Sequence, residues 1–581
     1  MKNITLTINN TPVTVAEGAT ILEAAKAAGF NIPTLCYLKD VCQDSSCRVC
    51  VVEVKGARSL VTACSAVATD GMEVTTNTQK IRASRKTTVE LILSNHDKKC
   101  LSCVRSGNCE LQNLSKEFNC DETAYEGAML KFEVEDNNPY IVRDNNKCVL
   151  CRRCIGACHE IQSVGVIGAS SRGFNTYVGC AFDKPLGETP CVACGQCITV
   201  CPTGALSEKD DTQKVLEYIA DPDLTVIVGT APSVRVTLGE EFGGQIGADS
   251  EGKMVAALKM LGFSKVFDID MTADLTIMEE GAELLERLKD TTAKLPMITS
   301  CSPGWVRFIE FNYPALLGHL SSCKSPQQMF GAVMKTYYAE KTKTDPSKIR
   351  VVSIMPCTAK KYERMRANQA ASGFADIDAV LTTRELARLI KSAGIDFKAI
   401  KSAPFDSPVG EGSTAGLIFG ASGGVMEAAL RTLSETVSGK PLANVDFKAV
   451  RGTKGIKEAA VKLGETEVKV CVVSGLANAR IIMDEIKAGK SNYHMIEVMA
   501  CPGGCVNGGG QPIQSANVRN QTDLRIERAK TIYNKDKRAN LRKSHENPVI
   551  KALYKDYFGK PGSHKAHDIL HTTYIKRKKF T

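Results

Sequence analysis

Tryptophan occurs once in 581 residues, and aromatic residues make up only 6% of the chain. Long apolar runs are missing as well. None approaches the ~18 residues of a membrane span, so no membrane insertion is expected. The first ten residues, MKNITLTINN, lack the apolar core of an export signal, and a cytoplasmic location is expected. No G-x-G-x-x-G links a strand-like run to a helix, and no G-x-x-x-x-G-K-[ST] occurs, so the chain is expected to carry no nucleotide site of its own. Charge of one sign is also scarce. The balance of 74 Lys+Arg against 64 Asp+Glu gives +10, too mild at this length to suggest nucleic acid as a partner. With 43% hydrophobic and 24% charged residues the composition is ordinary for a globular protein, and the length predicts several domains.

Cysteine is the exception, at 24 residues. A disulfide scaffold would be a short secreted chain with a denser cysteine content. Here the cysteines pair at short spacings along a long chain, which favours metal. Residues 4–8 alternate at strand period, residues 13–15 repeat the pattern, and Asn9-Asn10 between them predicts a hairpin. Thr20 and Glu23 make a capping box for a helix that Gly29 closes. Cys36, Cys47, Cys50 and Cys64 follow, the ligand set expected for a [2Fe–2S] cluster in a plant-type, β-grasp ferredoxin domain over residues 1–78. The long Cys36–Cys47 spacing resembles the related domain of complex I and of hydrogenases. Zinc fits less well, since it prefers two closely spaced pairs, and Cys42 lies off the pattern.

His96, Cys100, Cys103 and Cys109 then give one imidazole and three thiols within residues 79–125. Zinc could use that set, and the neighbouring cluster motifs favour [4Fe–4S]. Residues 126–210 hold the two-cluster bacterial ferredoxin run: Cys148, Cys151, Cys154 and Cys158, then Cys191, Cys194, Cys197 and Cys201. In such folds the fourth cysteine of each run crosses over. One cube is therefore expected on Cys148, Cys151, Cys154 and Cys201, the other on Cys191, Cys194, Cys197 and Cys158. His159 replaces the usual proline after Cys158. Clusters following one another along the chain predict electron conduction towards a chemical terminus in residues 211–581.

That last part reads as α/β, with short buried-strand runs such as LTVIVGTAP, KVFDID, ITSC, VVSIMPC and VKVCVVSG, and helices near 277–289 and 386–392. Three segments bring thiols to strand ends: Thr299-Ser-Cys301-Ser302-Pro-Gly-Trp305, Met355-Pro-Cys357-Thr-Ala-Lys360-Lys-Tyr-Glu363, and Glu497-Val-Met499-Ala-Cys501-Pro-Gly-Gly-Cys505 with the glycines up to Gly510. Glycine there lets backbone approach a bulky inorganic group closely.

These segments, and the order of the clusters before them, resemble the iron–iron hydrogenases over essentially the whole chain. The resemblance implies a large α/β catalytic domain with a C-terminal tail, holding a six-iron H-cluster: a [4Fe–4S] cube joined to a diiron unit carrying CO, CN⁻ and a bridging dithiolate. By carry-over Cys357, Cys501 and Cys505 hold the cube, and Cys505 bridges. The first motif departs from the family, whose usual pair is two cysteines, the first relaying protons and the second ligating; here the pair is Cys301-Ser302. Three readings follow. Cys301 relays and Ser302 ligates weakly; or Cys301 itself ligates; or Cys323 supplies the missing thiolate. A thiolate suits iron better than a hydroxyl, which favours ligation by Cys301 or Cys323. Ala231, Pro232, Ser233, Pro326, Gln327, Met355, Phe419 and Met499 would wall the diiron pocket, and the Lys360 ammonium would bind a cyanide. Glu280, Glu283, Arg287 and Ser321 match the family's proton path together with Cys301. The first three share a helix face, which could equally be a solvated stripe with a Glu283–Arg287 pair.

The function implied is reversible H2 oxidation and proton reduction, with electrons relayed by one [2Fe–2S] and three accessory [4Fe–4S] clusters. The Ser302/Cys323 variant and the turn after Cys158 resemble catalytic subunits of NAD(P)-linked or electron-bifurcating complexes. Expected partners are a flavin- and NAD(P)-binding iron–sulfur subunit, a small [2Fe–2S] subunit and ferredoxin. A stand-alone ferredoxin-linked hydrogenase is the alternative, and a non-catalytic sensor or iron–sulfur assembly relative a further one. His545, His564, His567 and His571 are read as structural or surface residues, the Lys576–Lys579 run as a solvated tail, and Cys120, Cys180 and Cys471 as buried free thiols.

Overall fold

The computed structural model describes residues 2–407, 409–464 and 466–579. The first sheet forms as the alternation demands. Ile4, Leu6 and Ile8 point inward from strand Asn3–Ile8, and the strand pairs antiparallel with Thr11–Ala16. Asn9 and Asn10 both take positive φ, 47° and 66°, as a two-residue hairpin turn requires. Both arms of the Thr20/Glu23 capping box are made, opening helix Ile21–Ala27. Strands Glu73–Thr75, Val51–Val54 and Val61–Thr62 complete a five-stranded sheet.

Helix Gln79–Ser94 ties this unit to the next, because the buried Arg85 guanidinium donates to the Val51 carbonyl at 2.8 Å. Residues 138–208 carry little regular structure: two short strand pairs, and the short helices Arg153–Gly156 and Gln196–Val200 that follow the cysteine loops.

From residue 225 the chain builds two four-stranded sheets. The first runs Lys265–Asp268, Thr225–Thr230, Ile349–Met355, Ala379–Thr382, all parallel. The second runs Met297–Ile298, Met495–Met499, Thr466–Ser474, Ile456–Leu463, parallel except for the last pair. Parallel strands are covered on both faces, and the cores on either side are fully buried aliphatic and aromatic clusters. The two sheets point the C-terminal ends of parallel strands at one another, where open α/β sheets place their ligands.

Three differences from the sequence reading have physical causes. The helix expected near 277–289 starts earlier, spanning Asp270–Lys289, because residues 270–277 are buried on every side and show no amphipathic period. Strand Ile456–Leu463 was not anticipated; it contains two alanines and alternates exposed charge, and its pairing with Thr466–Ser474 decides its state. The C-terminal stretch is no loose tail: helices Leu524–Arg538, Pro548–Leu553 and His564–Leu570 dock on the catalytic unit. Buried Arg528 pairs with Glu240 at 2.7 Å and Arg577 with Glu310 at 2.7 Å.

Candidate metal centres and catalytic cavity

All 24 cysteines are free, and the structure gathers most of them in groups. Cys36, Cys47, Cys50 and Cys64 are buried together, Cys36 facing Cys47 and Cys50 facing Cys64 closely enough that each thiol perturbs its neighbour's acidity. His96, Cys100, Cys103 and Cys109 line one cavity. Burial lowers the His96 pKa to about 4, and its buried Nδ1 has no hydrogen-bond partner. A neutral imidazole with a free ring nitrogen, in one cavity with three thiols, suits a metal. Cys148, Cys151, Cys154 and Cys201 share a second cavity. Cys197 lies near Cys191 and Cys158 and Cys194 near Cys191 and Cys197, so the crossed grouping expected from the motif is the one seen.

Two of the groups abut the Cys148/Cys151/Cys154/Cys201 group, and Cys36, Cys47, Cys109 and Cys151 share one buried cluster. From the first, the Cys42 thiol donates to the Cys151 carbonyl at 3.4 Å, and Arg153 donates to the Cys36 carbonyl at 3.3 Å. From the second, Arg105 donates to the Cys201 carbonyl at 2.8 Å, and a Cβ on Gly204 would stand 2.5 Å from Cys103 Sγ. Both small domains thus contact the two-cluster fold.

The other end of that fold meets the catalytic unit. Gly195 and Gly509 touch so closely that a Cβ on Gly509 would lie 2.2 Å from the Cys194 carbonyl oxygen. Cys194 therefore reaches the wall of the catalytic cavity, a role its motif did not signal.

A cavity of about 90 Å³ lies between the strand ends. Ala231 and Pro232 follow strand Thr225–Thr230, Cys357 follows Ile349–Met355, Cys301 and Ser302 follow Met297–Ile298, and Cys501 and Cys505 follow Met495–Met499. Pro326, Gln327, Met355, Phe419 and Met499 also line it. Ser233 does not. It is fully buried behind the wall, and its hydroxyl accepts from the Gln511 amide at 3.1 Å, so its expected place in the pocket is corrected. Gly504, at φ +92°, has the left-handed backbone that turns the chain between Cys501 and Cys505.

Burial pushes the Cys357 thiol up, and burial with neighbouring thiols pushes up Cys501 and Cys505, the last to about 12. Such an array exists as thiolates only around a cation, which inverts this balance. The Cys301 thiol has different company. It lies near Glu280, Lys360, Cys505 and Glu497. The Ser302 hydroxyl lines the cavity and accepts from the Ala500 amide at 3.2 Å. Cys323 is fully buried and points elsewhere, its sulfur 3.8 Å from Glu283 Oε2, so it does not supply the missing cavity thiol.

Lys360 is held at the cavity edge. Its ammonium donates to Glu363 at 2.9 Å, Ser325 Oγ at 2.8 Å and the Cys301 carbonyl at 3.1 Å. Glu363 also accepts from Ser325 and from Gln327, at 2.9 and 3.0 Å. This brace was missed in the sequence, although Lys360 and Glu363 stand one helical turn apart in the second motif.

Behind Cys301, one helix carries the polar chain. Glu280 is fully buried with neither carboxyl oxygen hydrogen-bonded, and burial, then the nearby Glu283, raises its pKa to about 8. Ser321 donates to Glu283 at 3.0 Å, and Arg287 holds Glu283 Oε1 at 2.6 Å. The Glu283–Arg287 pair is thus real but mostly enclosed, not a solvated stripe. His571, read as structural or surface, is buried against Ser322 and Glu279. Cys180 and Cys471 are buried as expected, whereas Cys120 is partly exposed.

Five family models match in order. Residues 1–79 match a 2Fe-2S iron-sulfur cluster binding domain, 85–124 the NADH-ubiquinone oxidoreductase-G iron-sulfur binding region, and 138–207 the ferredoxin-like domain of NADH-quinone oxidoreductase subunit 3. Residues 224–509 match the C-terminal domain of the iron only hydrogenase large subunit, and 522–577 the iron hydrogenase small subunit. The NADP-reducing hydrogenase subunit HndD of Solidesulfovibrio fructosivorans is 48% identical over 100% of both chains. Iron hydrogenase 1 of Clostridium pasteurianum is 42% identical over 98% of this chain and 100% of its own. A solved apo [FeFe]-hydrogenase of Chlamydomonas reinhardtii is 38% identical, with a TM-score of 0.55, covering 64% of this chain and 100% of its own. With its cluster domains preceding a cavity of strand-end cysteines, the chain belongs to the iron–iron hydrogenases as a catalytic, H2-cycling subunit.

Proposed function

We propose that this chain is the H2-activating subunit of a cytoplasmic NAD(P)-linked, electron-bifurcating complex. Its partners in that reading are a flavin- and NAD(P)-binding iron–sulfur subunit, a small [2Fe–2S] subunit and ferredoxin. The carrying observation is the full-length similarity to an NADP-reducing hydrogenase subunit, in a chain with no nucleotide motif of its own. The contact of both small domains with the two-cluster fold adds support, since each could pass electrons to a partner. No helix among the described residues is long and apolar enough to cross a membrane.

Cys357, Cys501 and Cys505 would hold the cube of the H-cluster, with Ser302 Oγ at the fourth position, and Ala231, Pro232, Met355, Phe419 and Met499 would wall the diiron unit. When bound, this group supplies heterolytic cleavage of H2. The protein's part is to exclude water and to orient and carry charge. Lys360, fixed by Glu363, presents a cation to an anionic ligand of the diiron unit. Cys301 takes up the proton and passes it to Glu280, and from there through Ser321 to Glu283, which Arg287 holds in place. Its position beside Glu280 favours relay over ligation.

Purification under native conditions tests the partner assignment. Co-eluting flavin and NAD(P)H-dependent H2 evolution are expected. Full turnover of the lone chain with ferredoxin, and none with NAD(P)H in any fraction, would establish the stand-alone reading instead.

A further inference from the structure

At the far end of the polar chain, Glu283 is joined by two donors that proton transfer does not need, Cys323 and His571. Glu283, Cys323 and His571 each offer a metal-ligating atom, and these atoms lie within 4.8 Å of one another. We propose that they form a binding site for a borderline divalent cation, zinc above all. A tetrahedral zinc site keeps its donors roughly 3.3–3.8 Å apart at bond lengths of about 2.0–2.3 Å, so closure needs only small side-chain shifts.

The chemistry fits on four counts. The three residues differ in kind, and carboxylate, thiolate and imidazole are the common zinc ligands. Glu283 Oε1 is held by Arg287, and Oε2, which accepts from Ser321 Oγ, the Ser322 amide and Ser322 Oγ, faces Cys323. Cys323 is fully buried, yet its thiol reaches Glu283 Oε2 only at 3.8 Å, a contact too long to satisfy it well. His571 has outer support: its Nε2 lies 3.2 Å from Glu279 Oε2, and Glu279 is itself fixed by the Tyr554 hydroxyl and the Gly562 amide. A carboxylate behind the distal nitrogen is how metal-bound histidines are usually oriented.

Ser322 Oγ, 2.8 Å from His571 Nδ1 and 3.1 Å from Glu283, stands ready as a fourth, neutral donor. The charge closes. Zn²⁺ displaces the Cys323 thiol proton to solvent, and Glu283⁻ and Cys323⁻ neutralise the ion while His571 stays neutral. The consequence for turnover rests on the proton route proposed above: a cation on Glu283 would plug it.

The test uses the cluster-loaded enzyme in zinc-free buffer, titrated with Zn²⁺. Zinc K-edge absorption of the wild type minus that of Cys323→Ala should show one sulfur at about 2.3 Å and nitrogen or oxygen at about 2.0–2.1 Å. This difference cancels zinc bound at other thiol groups. Cys323→Ala should turn over H2 normally without zinc and need at least about 100-fold more zinc for the same occupancy. Glu279→Gln should weaken binding about 10–100-fold. Chelation should restore wild-type H2 oxidation. Equal zinc content with no sulfur in the difference spectrum, or equal zinc affinity in wild type, Cys323→Ala and His571→Gln, would overturn the site. A sulfur-containing site that fills without slowing H2 turnover would sustain it and overturn the route through Glu283.

Discussion

Two residues separate positioning from chemistry at the cavity. Lys360→Met keeps the stem and removes the ammonium, leaving Glu363 to pair with Ser325 and Gln327 alone. Removal of one fixed donor to developing charge typically costs about 10²–10³ in rate. Turnover should fall at least that far while the accessory clusters remain visible by EPR; near-normal H2 evolution would remove Lys360 from the site. Cys301 is the sharper case. As a relay beside Glu280, Cys301→Ala should retain the six-iron group and lose on the order of 10²–10⁴-fold in turnover. Loss of the cube in that variant would show that Cys301, not Ser302, completes the ligand set.

Among the elements, the C-terminal helix Leu524–Arg538 shows what an ion network contributes. Asp536 accepts from Arg431 at 2.8 Å, Arg542 at 2.7 Å and Thr414 at 2.7 Å. Burial opposes its ionisation, but these partners prevail and hold its pKa at about 2, below the usual 3.8. A depressed acid stabilises the fold above its unfolded pKa and loses that contribution as pH falls through the folded value. The gap of nearly two units corresponds to about 2 kcal/mol. Asp536→Asn should therefore lower the urea midpoint at neutral pH, and its deficit against wild type should shrink as pH drops from about 4 to 2. A deficit that is constant across this range would show that the carboxylate's charge is not what stabilises the helix. None of this was legible beforehand, since the partners lie 122, 105 and six residues away in sequence. What was legible is local. The hairpin, the capping box and the cysteine spacings each depend on a few neighbouring residues. The buried first half of helix Asp270–Lys289, the displacement of Ser233 behind the wall and the turning of Cys323 towards Glu283 depend on tertiary packing, which no local pattern encodes.

For the whole molecule, the assembly of loops on a two-cluster hub sets both composition and direction. The ligand groups account for about 20 iron per chain when each takes the cluster its geometry suits. The His96 group is the one that zinc could fill instead. Elemental analysis of loaded protein should give that iron with little zinc; about four fewer iron with one zinc, lost on His96→Ala, would reassign that domain. If the cavity between the two sheets houses a six-iron group with CO and CN⁻ ligands, infrared spectroscopy of the matured protein should show bands of metal-bound CO and CN⁻ that shift when H2 is admitted. A protein with its accessory clusters fully loaded, exposed to the maturation machinery and still showing no such bands, would contradict that occupancy.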